Sequence, residues 1–215
     1  MKRHLLLVVL YLTPLSGFCQ EMTEKEKYTL FSTYLSSYPE SADAKVKKLL
    51  IKETIPSGST RDMAGQVSET CRAAVKGDIA MKHTAEFQYP HLIEVLQQDT
   101  LWFALLDELH LKMQKDFRIH HQFTTPIDIT VIAQKKIENI FRRAGPKKDG
   151  WKKLFRFYPR AYALVELSDV AGDGERALFY TASRRGGLYG TGQLVLMKKI
   201  NGVWQLFSTA RLWIS

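Results

Sequence analysis

Cysteine is nearly absent from this chain: its 215 residues hold two, Cys19 and Cys71. That excludes a disulfide-rich scaffold. Long apolar runs are missing too. The run from Leu5 to Leu12 has eight residues, whereas a helical membrane span needs about 20. No other run approaches that length. Several signatures of chemistry are also lacking. There is no His-Glu-x-x-His pair, no cysteine–histidine zinc knuckle and no Gly-x-Ser-x-Gly elbow. The glycine-rich stretch Arg184 to Gly192 lacks the Lys-Ser/Thr of a phosphate loop and joins two expected strands, so no helix dipole assists it.

The opening residues have a clear order. Lys2 and Arg3 precede the apolar run, Pro14 breaks it, and Ser16 and Gly17 follow. Positive charge, a short apolar core and small residues are the order of a secretion signal. Cleavage is expected after Cys19, which makes 1–19 a signal peptide and the mature protein periplasmic or secreted. A second reading acylates Cys19 as a lipoprotein anchor, but Phe18 before it is larger than such signals take. With Cys19 removed, Cys71 is the sole thiol, expected as a small core residue on a helix with Val67 and Ala74.

Carboxylates are scarce in one place. The chain has 31 basic and 22 acidic residues, yet between Gln134 and Arg160 ten cations face only Glu138 and Asp149. The rest of the mature chain is close to neutral, so this segment carries the basic character. Ala133, Ile137, Ile140, Phe141 and Ala144 recur at helical spacing and share one face. Lys135, Lys136, Arg142 and Arg143 fall on the opposite face. This predicts an amphipathic helix with a basic stripe, ended by Gly145-Pro146. Lys147, Lys148, Lys152 and Lys153 continue the charge, and in Trp151 to Pro159 aromatics and cations interleave. Phe155, Phe157 and Tyr158 are expected in the core. Arg184 and Arg185 open the glycine-rich turn and add two candidate anion-binding groups. A face of this kind suits anionic lipid, envelope polysaccharide or an acidic protein. Export argues against nucleic acid.

Secondary structure follows from periodicity. Helices are expected at 21–36, Met63–Val75, Ile79–Ala85 and Leu101–Phe117, with a turn at Pro90 and extended chain from His120 to Thr130. Val46–Ile55 fits either a strand or a short helix. From Ala161 the alternation predicts four strands: Ala161–Asp169, Arg176–Ser183, Gln193–Lys199 and Trp204–Ile214. Asn201-Gly202 closes the last hairpin, because both positions need positive φ. The fold class is α+β, with N-terminal helices packed on a C-terminal four-stranded antiparallel meander. Residues 20–62 form an N-terminal helix and linker region, and 63–215 a single domain.

The tail from Ala177 to Ser215 has a strand, a Gly-rich turn, a strand ending in Lys, the Asn201-Gly202-x-Trp204 hairpin and a Trp213-x-Ser215 end. It resembles a family of small uncharacterised exported bacterial proteins, over about 65 residues from Trp151. That resemblance implies no activity. Met63–Val75, Gly77-Asp78, Ile79–Ala85, Tyr89-Pro90 and Gly202-x-Trp204 follow an order similar to the nuclear-transport-factor-two-like cone fold. This would imply a pocket between sheet and helices with an Asp/His or Asp/Tyr pair, and no residue pair here matches one.

Other chemistry is weakly supported. His110, His120 and His121 could converge with Asp116, but no metal-ligand spacing stands out. Asp169, Asp173 and Glu175 around two glycines fit a hairpin turn better than a calcium loop, which needs more oxygen ligands in a longer frame. Neither a cofactor nor a catalytic residue is expected. The leading reading is a non-catalytic envelope protein that binds an anionic surface or partner; the alternative is a small-molecule binder or isomerase-like enzyme.

Overall fold

A computed structural model describes residues 22–37, 48–57, 63–120, 123–144 and 149–215. Their helices, in chain order, are α1 (Glu24–Ser36), α2 (Met63–Val75), α3 (Ile79–Gln88), α4 (Pro90–Gln98), α5 (Leu101–Met113), α6 (Gln134–Arg142) and α7 (Gly150–Phe157). The strands are β1 (Lys48–Lys52), β2 (Thr54–Ile55), β3 (Phe117–Arg118), β4 (Asp128–Ile132), β5 (Ala161–Leu167), β6 (Ala171–Gly172), β7 (Arg176–Gly186), β8 (Tyr189–Ile200) and β9 (Val203–Ile214).

The fold is α+β, but its sheet is not a four-stranded meander. Seven strands form one mixed sheet in the order β4-β1-β5-β7-β8-β9, with β6 beside β7. The four expected strands are present as β5, β7, β8 and β9, joined antiparallel. The correction lies at the other edge, where β1 runs parallel to both β4 and β5. Parallel partners need long crossovers rather than hairpins, so nothing in the local turns announces them. The segment expected as an N-terminal helix and linker region supplies α1 and β1. Leu49, Leu50 and Ile51 are all fully buried, as expected of a strand covered on both faces.

Two smaller differences have local causes. Where a turn was expected at Pro90, the proline opens α4 at its first position, where its missing N–H costs nothing. The helix expected to reach Phe117 stops at Met113, and Phe117 pairs with Ile55 across β2–β3. His120 and residues 123–127 are irregular before β4 begins at Asp128, and His121 lies outside the described residues.

Helices cover both faces. On one, α2, α4 and α5 pack on Leu178, Tyr180, Leu194 and Leu196. Beside them Ile137, Ile140 and Leu154 from α6 and α7 pack on Leu50, Ile132 and Leu164. These clusters share a face, because Leu164 and Glu166 pair with Arg184 and Ala182 and directly paired antiparallel residues project to one side. On the opposite face α1 lays Tyr28, Phe31, Tyr34 and Leu35 over Leu49, Ile51, Val165, Phe179 and Val195. A capping box of Thr23 and Glu26 fixes its start.

α1 runs along β7 but is too short to cover it. The Met22 side chain sits against Gly172, and twelve residues later the Tyr34 hydroxyl accepts from Gln193 Nε2 at 3.0 Å, level with Thr181. Beyond that level the α1 face of β7 and β8 changes from Phe179 and Val195 to Ser183 and Thr191.

Arg176 ties the helical layer to the sheet. Its Nε donates to Asp99 at 2.7 Å and its Nη1 to Asp173 at 2.8 Å. Burial pushes the Asp173 carboxyl up, but the N–H groups of Arg176 and Glu175 and the guanidinium outweigh it, leaving the group below its ordinary 3.8. A carboxyl depressed in the folded state contributes stability above its unfolded value and loses it as pH falls through the folded value. We predict that Asp173→Asn costs about 1–3 kcal/mol at neutral pH. Urea unfolding should show the difference from wild type shrinking as pH drops below the ordinary carboxylate range.

Candidate functional site

α6 has the amphipathic form expected of it. Ile137, Ile140 and Ala144 are buried, while Lys135, Lys136, Arg142 and Arg143 are exposed. α7 follows after the residues that include Lys147 and Lys148, which lie outside the described residues. Asp149 caps α7, its Oδ1 accepting from the N–H of Trp151 at 2.9 Å and of Lys152 at 3.4 Å. Leu154 is fully buried, and Trp151, Phe155 and Tyr158 are half-buried on the same side. Trp151 meets Phe141 of α6 edge-on at 5.2 Å between centroids, so the helices are locked by aromatic contact.

The outer side of α7 carries exposed Lys152 and Arg156, with Lys153 half-buried. Phe157 was expected in the core and is 61% exposed. The reason is angular: Trp151, Leu154, Phe155 and Tyr158 complete the packing stripe at helical spacing, and Phe157 falls on the far side.

Arg184 and Arg185 end β7, where strand alternation sends them to opposite faces. The Arg184 guanidinium lies 5.2 Å from the Trp213 ring, on the helix-layer face. Arg185 turns to the other face, donating from Nη1 to the Tyr162 hydroxyl at 2.6 Å. The hairpin of β7 and β8 brings Arg185 beside α7 nonetheless. Trp151, Lys152, Phe155, Arg156, Arg185 and Tyr189 line one open groove of about 800 Å³. A smaller cleft of about 290 Å³ between α6 and α7 is lined by Lys136, Arg143, Lys153 and Phe157. Two segments singled out separately in the sequence are therefore neighbours.

Elsewhere many cations are paired with carboxylates, though Lys25, Lys76, Lys115, Lys198 and Arg211 are in no ion pair among the described residues. Lys27 bridges Asp169 at 2.8 Å, Lys52 meets Glu166 at 3.3 Å, and Arg72 meets Asp107 at 2.7 Å. Among the described residues no carboxylate lies within ion-pair distance of the α6, α7 or hairpin cations. Their partners are neutral. Arg142 donates to the Asn139 amide at 2.7 Å, and the Lys136 ammonium sits 5.2 Å from the Tyr158 ring centroid. Charge on this face is held in place without being cancelled.

Arg156 and Trp151 lie within the basic segment read from the sequence but are not among its named candidate site residues, and Leu188 and Tyr189 fall outside that segment. The spacing of Lys152 and Arg156, four residues apart, was the available signal for the first. The others depend on a hairpin folding against a helix, which has no sequence signature. No family model, curated protein or solved structure matches this chain.

Other reactive groups are held inert. Burial pushes the Cys71 thiol up to about 12 and the Tyr180 phenol likewise to about 12, although Trp213 Nε1 donates to its oxygen. Both stay protonated at neutral pH. The Asp173 carboxylate is engaged by Glu175 and Arg176, as a hairpin turn requires. Cys71 should therefore resist iodoacetamide in the native protein at pH 8 and label fully in denaturant. Mass spectrometry of the peptide carrying Cys71 checks this, and rapid native labelling would contradict the burial.

Proposed function

We propose that this protein is an exported, non-catalytic binding module that docks on an anionic surface or polymer through α6, α7 and the β7–β8 hairpin. The observation that carries the reading is the convergence of Lys135, Lys136, Arg142, Arg143, Lys152, Lys153, Arg156 and Arg185 on adjoining elements, with no carboxylate within ion-pair distance among the described residues. A cationic face held against neutral partners raises the local concentration of anions. Exposed apolar groups stand among the cations: Phe157 at 61%, Leu188 at 81% and Tyr189 at 72% exposure. Cations interspersed with exposed aromatic and aliphatic groups are what docking on an anionic envelope component uses. The export half of the reading rests on the order of charge, apolar run and small residues in 1–20. No helix among the described residues is long and apolar enough to cross a membrane.

The test is retention on two polyanions, phosphatidylglycerol vesicles and polygalacturonate beads, beside neutral vesicles and neutral polysaccharide beads. Wild type is compared with a Lys135→Glu, Lys136→Glu, Arg142→Glu, Arg143→Glu variant at low and moderate salt. Each cation near an anionic surface contributes about 1 kcal/mol, so the variant should bind at least about a hundredfold more weakly. Wild-type retention should fall as salt rises. Absence of retention on both polyanions at low salt would sink the proposal.

A further inference from the structure

We infer that the anion this face takes is an acidic glycan, seated across two grooves that meet at Arg185 and Tyr189. The inference rests on the basic-face reading and names its ligand class. The first groove is the one between α7 and the β7–β8 hairpin. The second, of about 510 Å³, lies on the α1 face of the sheet, past the point where α1 stops. Arg185 and Tyr189 line both, so the recesses adjoin around the hairpin tip.

The chemistry of the second groove differs from a core and from an ordinary solvated face. Its lining includes Tyr162, Ser183, Thr191, Gln193, Thr209 and Arg211, together with the aliphatic Leu206 and Ile214. No aspartate or glutamate lines it among the described residues. Ser183 and Tyr34, which contribute to its floor, are 7% and 3% exposed. Short hydroxyls and an amide on a rigid sheet, set beside two arginines, suit a ligand that carries both hydroxyl groups and negative charge. Arg185 is fixed before any ligand arrives, held to the Tyr162 hydroxyl at 2.6 Å with its guanidinium 4.8 Å from that ring. A guanidinium so positioned keeps other N–H donors for a carboxylate.

The first groove supplies what sugar rings need. Trp151, Phe155 and Tyr189 offer flat apolar faces, and Lys152, Arg156 and Arg185 offer charge. Its one carboxylate among the described residues, Asp149, has an oxygen occupied by the N–H groups of Trp151 and Lys152. A bilayer is the competing anion. It rests on what protrudes, such as Phe157 and Leu188, and cannot follow the protein surface down to Ser183. A thin, hydroxyl-rich, charged chain can.

The experiment titrates the purified protein with a short oligogalacturonate, a neutral galacto-oligosaccharide of equal length, and phosphatidylglycerol vesicles. Calorimetry and amide chemical shifts read the binding. Arg185→Ala and Tyr189→Ala remove the junction. Both residues are exposed, and thermal unfolding confirms that the variants stay folded. Arg185→Lys keeps the charge and loses the fork. Lys135→Glu with Lys136→Glu changes the basic face away from the grooves.

Oligogalacturonate should bind and the neutral sugar should not, with shifts at both Thr191 and Trp151. Arg185→Ala and Tyr189→Ala should each weaken binding by about tenfold or more, and Arg185→Lys should recover only part of it. Oligogalacturonate binding unchanged in both alanine variants, yet lost in the double glutamate variant, would overturn the glycan site and leave the basic-face reading standing. Vesicle binding without oligogalacturonate binding would do the same in favour of lipid. Failure of both anions to bind would overturn both readings.

Discussion

A strand that runs parallel to both its neighbours cannot be reached by hairpins, and β1 is such a strand. The chain must leave the sheet and return twice around it. The excursion through α2–α5 separates β1 and β2 from β3 and β4, and the one through α6–α7 carries β4 over to β5. Both lie on one face, and α1 closes the other. The burial of Leu49, Leu50 and Ile51 on both faces is the apolar counterpart of that path. At the end of β1, Lys52 meets Glu166 of β5 at 3.3 Å with both side chains largely out of solvent. Such a pair adds little net stability, but removing one partner strands the other charge. It fixes the register of β1 where its hydrogen bonding to β5 ends.

The basic face is a by-product of that crossover in geometry, though not in composition. A helix pair spanning β4 to β5 needs one apolar stripe per helix. Ile137 and Ile140 supply it on α6, with Ala144 just past its end, and Leu154 with half-buried Trp151 and Phe155 on α7, with Tyr158 at its C-cap. Nothing in packing requires the outer stripes to be cationic. Mutual repulsion of unpaired like charges opposes folding, and elsewhere the chain relieves it with carboxylates, as at Arg176 between Asp99 and Asp173. On α6 and α7 the acceptors are an amide and a ring. On the proposed reading, the neutralising group for this charge comes from outside the chain.

Much of the architecture was legible wherever a local rule determined it. Asn201 and Gly202 both have positive φ, 51° and 77°, and their hairpin stands as the dipeptide predicts. The α6 stripe follows from 3.6-residue periodicity alone. What could not be read depended on distant partners. Leu49-Leu50-Ile51 has no alternation because both its faces are buried, so its period is uninformative and its place beside β4 and β5 has no sequence mark. α7 is a different case. Trp151, Leu154, Phe155 and Tyr158 carry helical spacing, but the cations between them mask it, and Phe157 reads inward by residue type while its angle places it outward. Of the candidate site, the residues of α6 were visible and the groove was not.

The groove exists because strands and helices advance at different rates. Twelve residues of β8 span about 40 Å at 3.4 Å each, while the thirteen of α1 span about 20 Å. Starting beside Gly172, α1 reaches only Gln193, and the β7–β8 hairpin continues beyond it. On the opposite face the same hairpin runs past the end of Trp213 and alongside α7. An overhang of this kind would expose apolar surface if the core alternation continued into it. Here Ser183, Thr191 and Thr209 stand on one face, beside exposed Leu206 and Ile214, and aromatics interleaved with cations stand beside the other. Solubility alone would be met by any polar side chain, including glutamate. That no aspartate or glutamate among the described residues lines the α1-side recess, with Arg185 and Arg211 among its walls, is a narrower choice. On the proposed reading, that choice suits the overhang to a negatively charged ligand on both faces of a single hairpin.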